Sequence, residues 1–379
     1  MELTRFQGRN ADILMLDRSL EFGPRTPEEQ PLGGAESAFV WLAQALAARG
    51  HRVHVRTPRG RPICDAMIDW GPFEQRTPET VDMVIANRRW ILFRHGPRKT
   101  RRVLWLHNVA SGLGRLSWRA ALAWYRPILV TASAYHQSTI PAGLFGATST
   151  IIPMAPAALF TKSVEHAAAP KPHAVFTSNP ARGLDRLLQL WATRIRPAVS
   201  HAMLHVFGGA ETYQRGLGRA TSEALARTLV AARQLEGAGV IVHAPMSRPL
   251  LSEHLARARA MLYPGSPEET YCLAVAEAQA MGVPAVLGNV GCLSERIVHN
   301  ATGFLADGDD AFVAHAIQVL SDDTLWLSMH RQCLARRHLR TWDHVAADFE
   351  ELLMPPPVQG RSENKGTSTA MTPHERERQ

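Results

Sequence analysis

The run Pro264-Gly-Ser-Pro-Glu-Glu-Thr-Tyr-Cys-Leu-Ala-Val-Ala-Glu-Ala-Gln-Ala-Met-Gly-Val-Pro-Ala-Val-Leu-Gly288 decides how this chain is read. The apolar stretch from Ala260 to Pro264 has the length and composition of a buried strand, and Gly282-Val283-Pro284-Ala285-Val286 opens another. Between them a polar turn feeds an alanine-rich helix. Glu269 and Glu277 are placed around the helix start, with seven residues between them. Read as continuous helix, eight steps of about 1.5 Å put the two carboxylates about 12 Å apart. The amides from Thr270 to Leu273 would form the positive end of that helix and favour an anion between the carboxylates without using a side chain.

The ordered run extends past the two acids, through Cys292-Leu293-Ser294-Glu295-Arg296 to Gly303-Phe304-Leu305. This whole strand, loop, helix and strand segment resembles the retaining glycosyltransferases of family 4, glycosyl transferases group 1, which have the GT-B fold. The resemblance implies an α/β protein of two Rossmann-like domains facing one another across a cleft. It also implies a sugar donor carried on a nucleoside diphosphate, for which about 12 Å is roughly the distance from sugar to ribose. The family's first glutamate contacts the donor sugar and its second holds the ribose hydroxyls, roles that fall here on Glu269 and Glu277. Glu268 competes for the first role and is disfavoured by spacing. The diphosphate would lie over Thr270, Tyr271, Cys272 and Leu273. Alanines and valine around Glu277 argue against a merely solvated helix glutamate. Replacing either glutamate by alanine is expected to remove activity and leave the fold intact.

Upstream of this segment, strands at Ala174–Thr177, Met203–Phe207 and Val240–His243 alternate with helices at Leu184–Thr193 and Ser222–Gln234. The loops after the second and third strands, with Gly208, Pro245 and Met246, are candidate contacts for the donor and its base. The family's basic pair for the diphosphate is only partly present. Arg182 occupies the place of the second member, while Thr177 and Ser178 stand where an arginine is expected. Arginine binds phosphate bidentately, so Arg182 is a candidate for both binding and catalysis.

The N-terminal half opens as a βαβ unit: strand Ala11–Leu16, helix from Ser37, strand His51–Val55. Gly33 and Gly34, between the first strand and the helix, would let backbone approach a diphosphate. Further strands are expected at Val81–Ile85, Val103–His107, Ile128–Ala132 and Ser149–Pro153. His107 then ends a strand of an open α/β sheet, where side chains point into the ligand crevice, and matches the family's active-site histidine. Residues 1–162 are read as the acceptor domain, 163–172 as a linker and 173–338 as the donor domain. By the same resemblance a helix within 339–354 would cross back to the first domain, and 355–379 reads as a disordered tail by composition.

At 379 residues the chain can bury two cores. Its four cysteines are scattered, without paired metal-ligand spacing, which points to a reducing, cytoplasmic setting. No signal core and no run of about eighteen apolar residues is present, so a membrane would be met from its surface. The net charge of +8 lies in the N-terminal half, densest at Arg88, Arg89, Arg94, Arg98, Lys99, Arg101 and Arg102. That cluster suits an anionic membrane surface or a phosphate-bearing acceptor, or it is a plain solvated face. No nucleic-acid-binding pattern accompanies it. No metal and no cofactor beyond the donor is implied. The expected activity is sugar transfer in cell-surface polysaccharide, lipopolysaccharide or glycolipid assembly. A nucleotide-sugar epimerase or hydrolase, and a degenerate binding module, are the alternatives. The residues do not specify donor sugar, base or acceptor.

Overall fold

The structure is a computed structural model that describes residues 10–58, 63–64, 67–163, 165–209 and 219–354. Two sheets form around two buried layers. The first contains β1 (Asp12–Leu16), β2 (Arg52–Thr57), β3 (Ile63–Cys64), β4 (Ile68–Pro72), β5 (Met83–Asn87), β6 (Arg101–Trp105), β7 (Ile128–Thr131) and β8 (Thr148–Ile151). Their order is β3-β4-β2-β1-β5-β6-β7-β8, parallel throughout except for the short β3–β4 pair. The second contains β9 (His173–Phe176), β10 (Met203–Phe207), β11 (Val240–His243), β12 (Ala260–Tyr263), β13 (Ala285–Gly288) and β14 (Gly303–Ala306). It is fully parallel, in the order β11-β10-β9-β12-β13-β14. Central strands are buried on both faces, as parallel sheets covered by helices must be; Ile13, Leu14, Met15 and Leu16 are all fully buried.

The principal helices are α1 (Gly34–Ala48), α2 (Leu116–Tyr125), α3 (Ala134–Ser138), α4 (Leu184–Leu190), α5 (Arg219–Gln234), α6 (Arg248–Leu255), α7 (Leu273–Ala280), α8 (Asp309–Ser321), α9 (Asp323–Arg336) and α10 (Trp342–Glu351). Helix α10 starts with a capping box between Thr341 and His344 and lies against the first sheet's domain. There Trp342 meets Trp41 at 5.6 Å and Phe349 meets Trp105 at 5.3 Å. Glu350, buried beneath it, accepts from Arg49 at 2.5 and 2.8 Å. Within the expected linker, Ser163 and Glu165 are held to the second domain: Ser163 Oγ donates to the Met281 carbonyl at 3.1 Å, and Glu165 pairs with Arg331 at 2.7 Å.

The α/β class and the two Rossmann-like domains agree with the sequence reading, and several local expectations are corrected. Glu269 lies in a loop; α7 begins only at Leu273, so the stretch from Glu269 to Cys272 does not follow the helical rise used to space the glutamates. Helix α1 starts at Gly34, which makes Gly34, Ala35 and Glu36 its first turn instead of a preceding loop. Strand β6 ends at Trp105, leaving His107 two residues beyond it. The regular part of the helix expected to Thr193 stops at Leu190, followed by a wider π-type turn at Trp191–Ile195. Strand β4 lacks an alternating apolar pattern and was not foreseen; Trp70, fully buried, anchors it through an Nε1 hydrogen bond to Thr57 at 3.1 Å. The expected tail, 355–379, lies outside the described residues.

Candidate functional site

In each sheet one pair of central strands has its following connections running to opposite sides, β1 with β5 in the first and β9 with β12 in the second. Chain leaving the carboxyl ends of such strands opens a crevice. Both crevices contribute to one cavity of about 600 Å³. Asp17 follows β1, Arg88 follows β5, Thr177 and Ser178 follow β9, and the Glu269 loop follows β12; all line it.

Glu269 is buried and held from two sides. Arg182 Nη1 donates to its Oε1 at 2.5 Å, and Tyr263 Oη donates to the same oxygen at 2.7 Å. Burial works against the Arg182 charge, and Glu269 beside it more than compensates, raising the guanidinium above its ordinary value. The turn that presents Arg182 needs glycine: Gly183 has φ of 88°, and a Cβ there would come within 2.9 Å of the Gly265 carbonyl oxygen. Burial and then Glu269 lift the Tyr263 phenol and the Cys272 thiol well above their usual values. Both stay protonated near neutrality, so Cys272 is an inert thiol and no nucleophile. Cys272 nevertheless takes a left-handed conformation, φ 61°, at the N-cap of α7. The amides of Leu273 and Ala274, which line the cavity, have no backbone acceptor among the described residues, while Val275 N donates to the Cys272 carbonyl at 3.2 Å.

Glu277 sits one turn deeper and does not line the cavity. Arg248 Nη1 lies 2.6 Å from both of its carboxylate oxygens. Burial pushes this carboxyl up to about 7, with Arg248 pulling the other way. The same arginine crosses to the other domain, donating to the Leu32 carbonyl at 3.2 Å and standing 5.8 Å from the Trp41 ring centroid. Sequence reasoning stopped at Pro245 and Met246 and missed Arg248. A signal was available: arginine as the first residue of a helix opposes the positive helix end, so it calls for an external carboxylate.

From the first domain come Gly33, Gly34 and His107. A Cβ on Gly34 would stand 3.8 Å from Leu273, so the N-termini of α1 and α7 meet across the cleft. His107 is buried with its Nε2 lacking a partner in the protein. Burial first, then Arg88 and His136, hold its pKa well below the ordinary histidine value, so the ring is neutral. Asn87 Oδ1 and Thr177 Oγ1 are further buried cavity atoms without a protein partner. A ligand's hydroxyl or phosphate groups can satisfy such atoms. Asp17, also unforeseen, accepts from Asn87 and Arg88, and Arg88 also pairs with Glu36.

Of the residues singled out from sequence, Gly33, Gly34, His107, Arg182, Glu269, Thr270, Tyr271, Cys272 and Leu273 share this cavity, whereas Glu277, Gly208, Pro245 and Met246 stand outside its wall. The arginine-rich run is split: Arg88 and Arg89 line the cleft, Arg88 within ion pairs, while Arg94, Arg98 and Lys99 are exposed elsewhere. Arg88 and Arg89 of the sequence cluster thus belong to the cleft, apart from Arg94, Arg98 and Lys99. Among the described residues no three histidine, cysteine or carboxylate side chains form a group able to hold a metal ion.

The two domains are stitched beside the cavity. Thr270 Oγ1 donates to the His107 carbonyl at 2.7 Å, and Ser133 Oγ donates to the Thr270 carbonyl at 2.8 Å. Glu295 accepts the amides of Ala134 and Tyr135 at 2.9 and 2.8 Å, capping α3 from the opposite domain. Tyr271 Oη donates to the Met154 carbonyl.

Comparison with known proteins gives a family match over part of the chain and a fold for nearly all of it. Residues 171–323 match the family model described as glycosyl transferases group 1. The D-inositol 3-phosphate glycosyltransferase of Jonesia denitrificans is 36% identical over 108 residues, 28% of this chain and 25% of that protein. The aligned part thus spans about a quarter of that relative's length. Sucrose-phosphate synthase from Thermosynechococcus elongatus superposes with a TM-score of 0.69 at 15% identity, covering 90% of this chain and 98% of its own. Anabaena HepE, solved in complex with UDP and glucose, superposes with a TM-score of 0.65 at 13% identity, covering 91% and 99%.

Proposed function

We propose, from a chain whose residues 171–323 form a group 1 glycosyltransferase domain within a GT-B fold, that it moves a sugar from a nucleoside-diphosphate sugar to an acceptor hydroxyl. The observation that carries this reading is the fixed Glu269, held by Arg182 and Tyr263 at the mouth of α7 in one cavity with the unpartnered His107 nitrogen. In this reading Glu269 and His107 hold the donor sugar's hydroxyls. The remaining Arg182 donors and the first-turn amides of α7 hold the diphosphate, and Glu277 takes the ribose hydroxyls as Arg248 gives way. Gly208, Pro245 and Met246, outside the cavity wall, are the contacts proposed for the base.

With no serine, threonine or cysteine among the described cavity residues activated by an adjacent histidine, transfer on the leaving-group face is the route that fits. The bond from the anomeric carbon to the phosphate oxygen breaks as the acceptor oxygen bonds to that carbon. The acceptor proton passes to the departing phosphate, and the configuration is retained. Arginine and helix amides supply the charge neutralisation that a divalent ion would otherwise give, so no metal or other cofactor is required. Arg18 and Arg89, on the first domain's side of the cavity and without carboxylate partners among the described residues, favour an acceptor that bears phosphate. The relative named for D-inositol 3-phosphate is consistent with that class. Cell-surface polysaccharide or glycolipid assembly in the cytoplasm is the setting that suits such an enzyme.

A thermal-shift screen against UDP, GDP, ADP, CDP and TDP, each with and without its common sugars, tests the donor. One nucleotide should raise Tm selectively. With that donor, Glu269→Gln should keep nucleotide binding and lose turnover by about 10²–10³-fold, the scale of one polar contact made to the transition state. No shift with any nucleotide would overturn the reading, and donor cleavage without an acceptor would mark a hydrolase instead.

A further inference from the structure

Residues 83–164 contain no aspartate or glutamate and eleven lysines and arginines. They build β5 to β8, α2 and α3, one half of the first sheet and its covering. Of the eleven, Arg88 is the one with a carboxylate partner among the described residues. This half of the domain therefore carries a charge excess larger than that of the whole chain, which is +8.

Its outward face is also apolar at its most prominent points. Leu116 and Trp124 on α2 are 84% and 81% exposed, and Phe145 is 78% exposed. On a helix, Leu116, Ala120 and Trp124 fall four residues apart along one stripe, with Arg115, Arg119 and the C-capping Arg126 along its flank. The loop carrying Phe145 is fixed beside that stripe. Arg119 Nη2 donates to the Gly143 carbonyl at 3.0 Å, and at Gly146 an added Cβ would lie 3.2 Å from the Ala123 Cα. The opposite face of α2 is anchored by aromatic contacts, Trp90 to Trp118 at 6.5 Å and Phe93 to Tyr125 at 5.4 Å. Large exposed side chains on a rigid support, ringed by arginine and lacking any acid, are the components of an interfacial anchor.

We propose that this face, with Leu116, Trp124 and Phe145 at its tip and Arg115, Arg119 and Arg126 around them, docks on a bilayer containing anionic lipid. The arginines meet the headgroups and the three apolar side chains enter the boundary between headgroup and acyl chains. A soluble polyanion would use the arginines and leave the apolar tips in water, which is why the bilayer is the occupant that uses the whole face. Trp118, on the same helix, lines the cleft. Docking would therefore hold the first domain's side of the cavity one helix diameter, about 10 Å, from the membrane surface, within reach of an acceptor carried on a lipid.

Flotation of the full chain with vesicles of phosphatidylcholine alone, or with about a third phosphatidylglycerol, tests the docking. Binding is expected only to the anionic vesicles and should fall steeply with salt. Arg115→Ser with Arg119→Ser should weaken it by about fivefold per arginine removed. Leu116→Ser with Trp124→Ser and Phe145→Ser should weaken it by tenfold or more. All five positions are exposed, and the contact chiefly lost is the surface bond from Arg119 to the Gly143 carbonyl, so melting curves should move little. Failure to float with anionic vesicles would overturn the proposal. So would binding that the serine triple variant retains in full, which would mark a surface for soluble polyanions such as polyphosphate.

Discussion

The two halves of this molecule share an architecture and differ in how they handle positive charge. In the second domain the arginines that matter are tied to carboxylates: Arg182 to Glu269, Arg248 to Glu277, Arg186 to Asp309 and Arg259 to Asp323. In residues 83–164 there are no carboxylates to tie them. An arginine whose geometry is fixed by a partner can orient a small ligand, whereas an unpaired one projects a field that recruits a surface or an extended anion. The difference teaches that the fold alone does not set the role of each half; the pairing of charge does.

Breaking a pair in the second domain should have the largest effect. Glu277→Ala leaves the Arg248 guanidinium buried without its carboxylate. Loss of one partner from a buried pair costs about 3–5 kcal/mol, which a shift in the urea midpoint would register. Arg98→Ser, in the half without acids, should stay within about 0.5 kcal/mol. Equal effects at the two positions would erase the contrast.

A smaller effect sharpens the same point through pH. Burial lifts Glu277 to about 7, above the ordinary carboxyl value. The ionised form is the better acceptor for ribose hydroxyls, so a proton competes with the donor. Affinity should be fully developed above pH 7 and fall as pH drops through it, by about tenfold from pH 8 to pH 6. Nucleotide binding measured by calorimetry at the two values checks this. A flat profile would show that Arg248 keeps the carboxylate ionised throughout.

The smallest expected effect lies at the rim of the first domain. Arg18→Ser or Arg89→Ser should reduce kcat/KM for a phosphate-bearing acceptor by about three- to fivefold at low salt, the scale of one exposed charge contact. Nucleotide affinity should be unchanged. A loss of nucleotide affinity instead would place these arginines on the donor.

Local sequence was sufficient for most strands and turns, whose signals lie among neighbours in the chain, and fell short at the starts of α1 and α7. The apolar runs gave the parallel strands, because strands buried on both faces must be continuously hydrophobic. Glycine and proline punctuation marked the turns, and the segment from Ala260 to Leu305 carried the family likeness. What the sequence could not determine was which charges meet. Arg248 and Glu277 are separated by 29 positions and Arg182 and Glu269 by 87. Asp17 and Arg88 are separated by 71, and Arg248 reaches Leu32 across 216. Asp17, Arg88, Arg182 and Glu269 lie in the segments that follow four different strands, and Arg248 opens a helix. Only the ordering of strands in the two sheets, and the facing of their carboxyl ends, brings these five into one cavity. Tertiary structure also decided that Arg88 turns into the cleft while Leu116, Trp124 and Phe145 face out, since burial is set by what packs on each side and not by residue type.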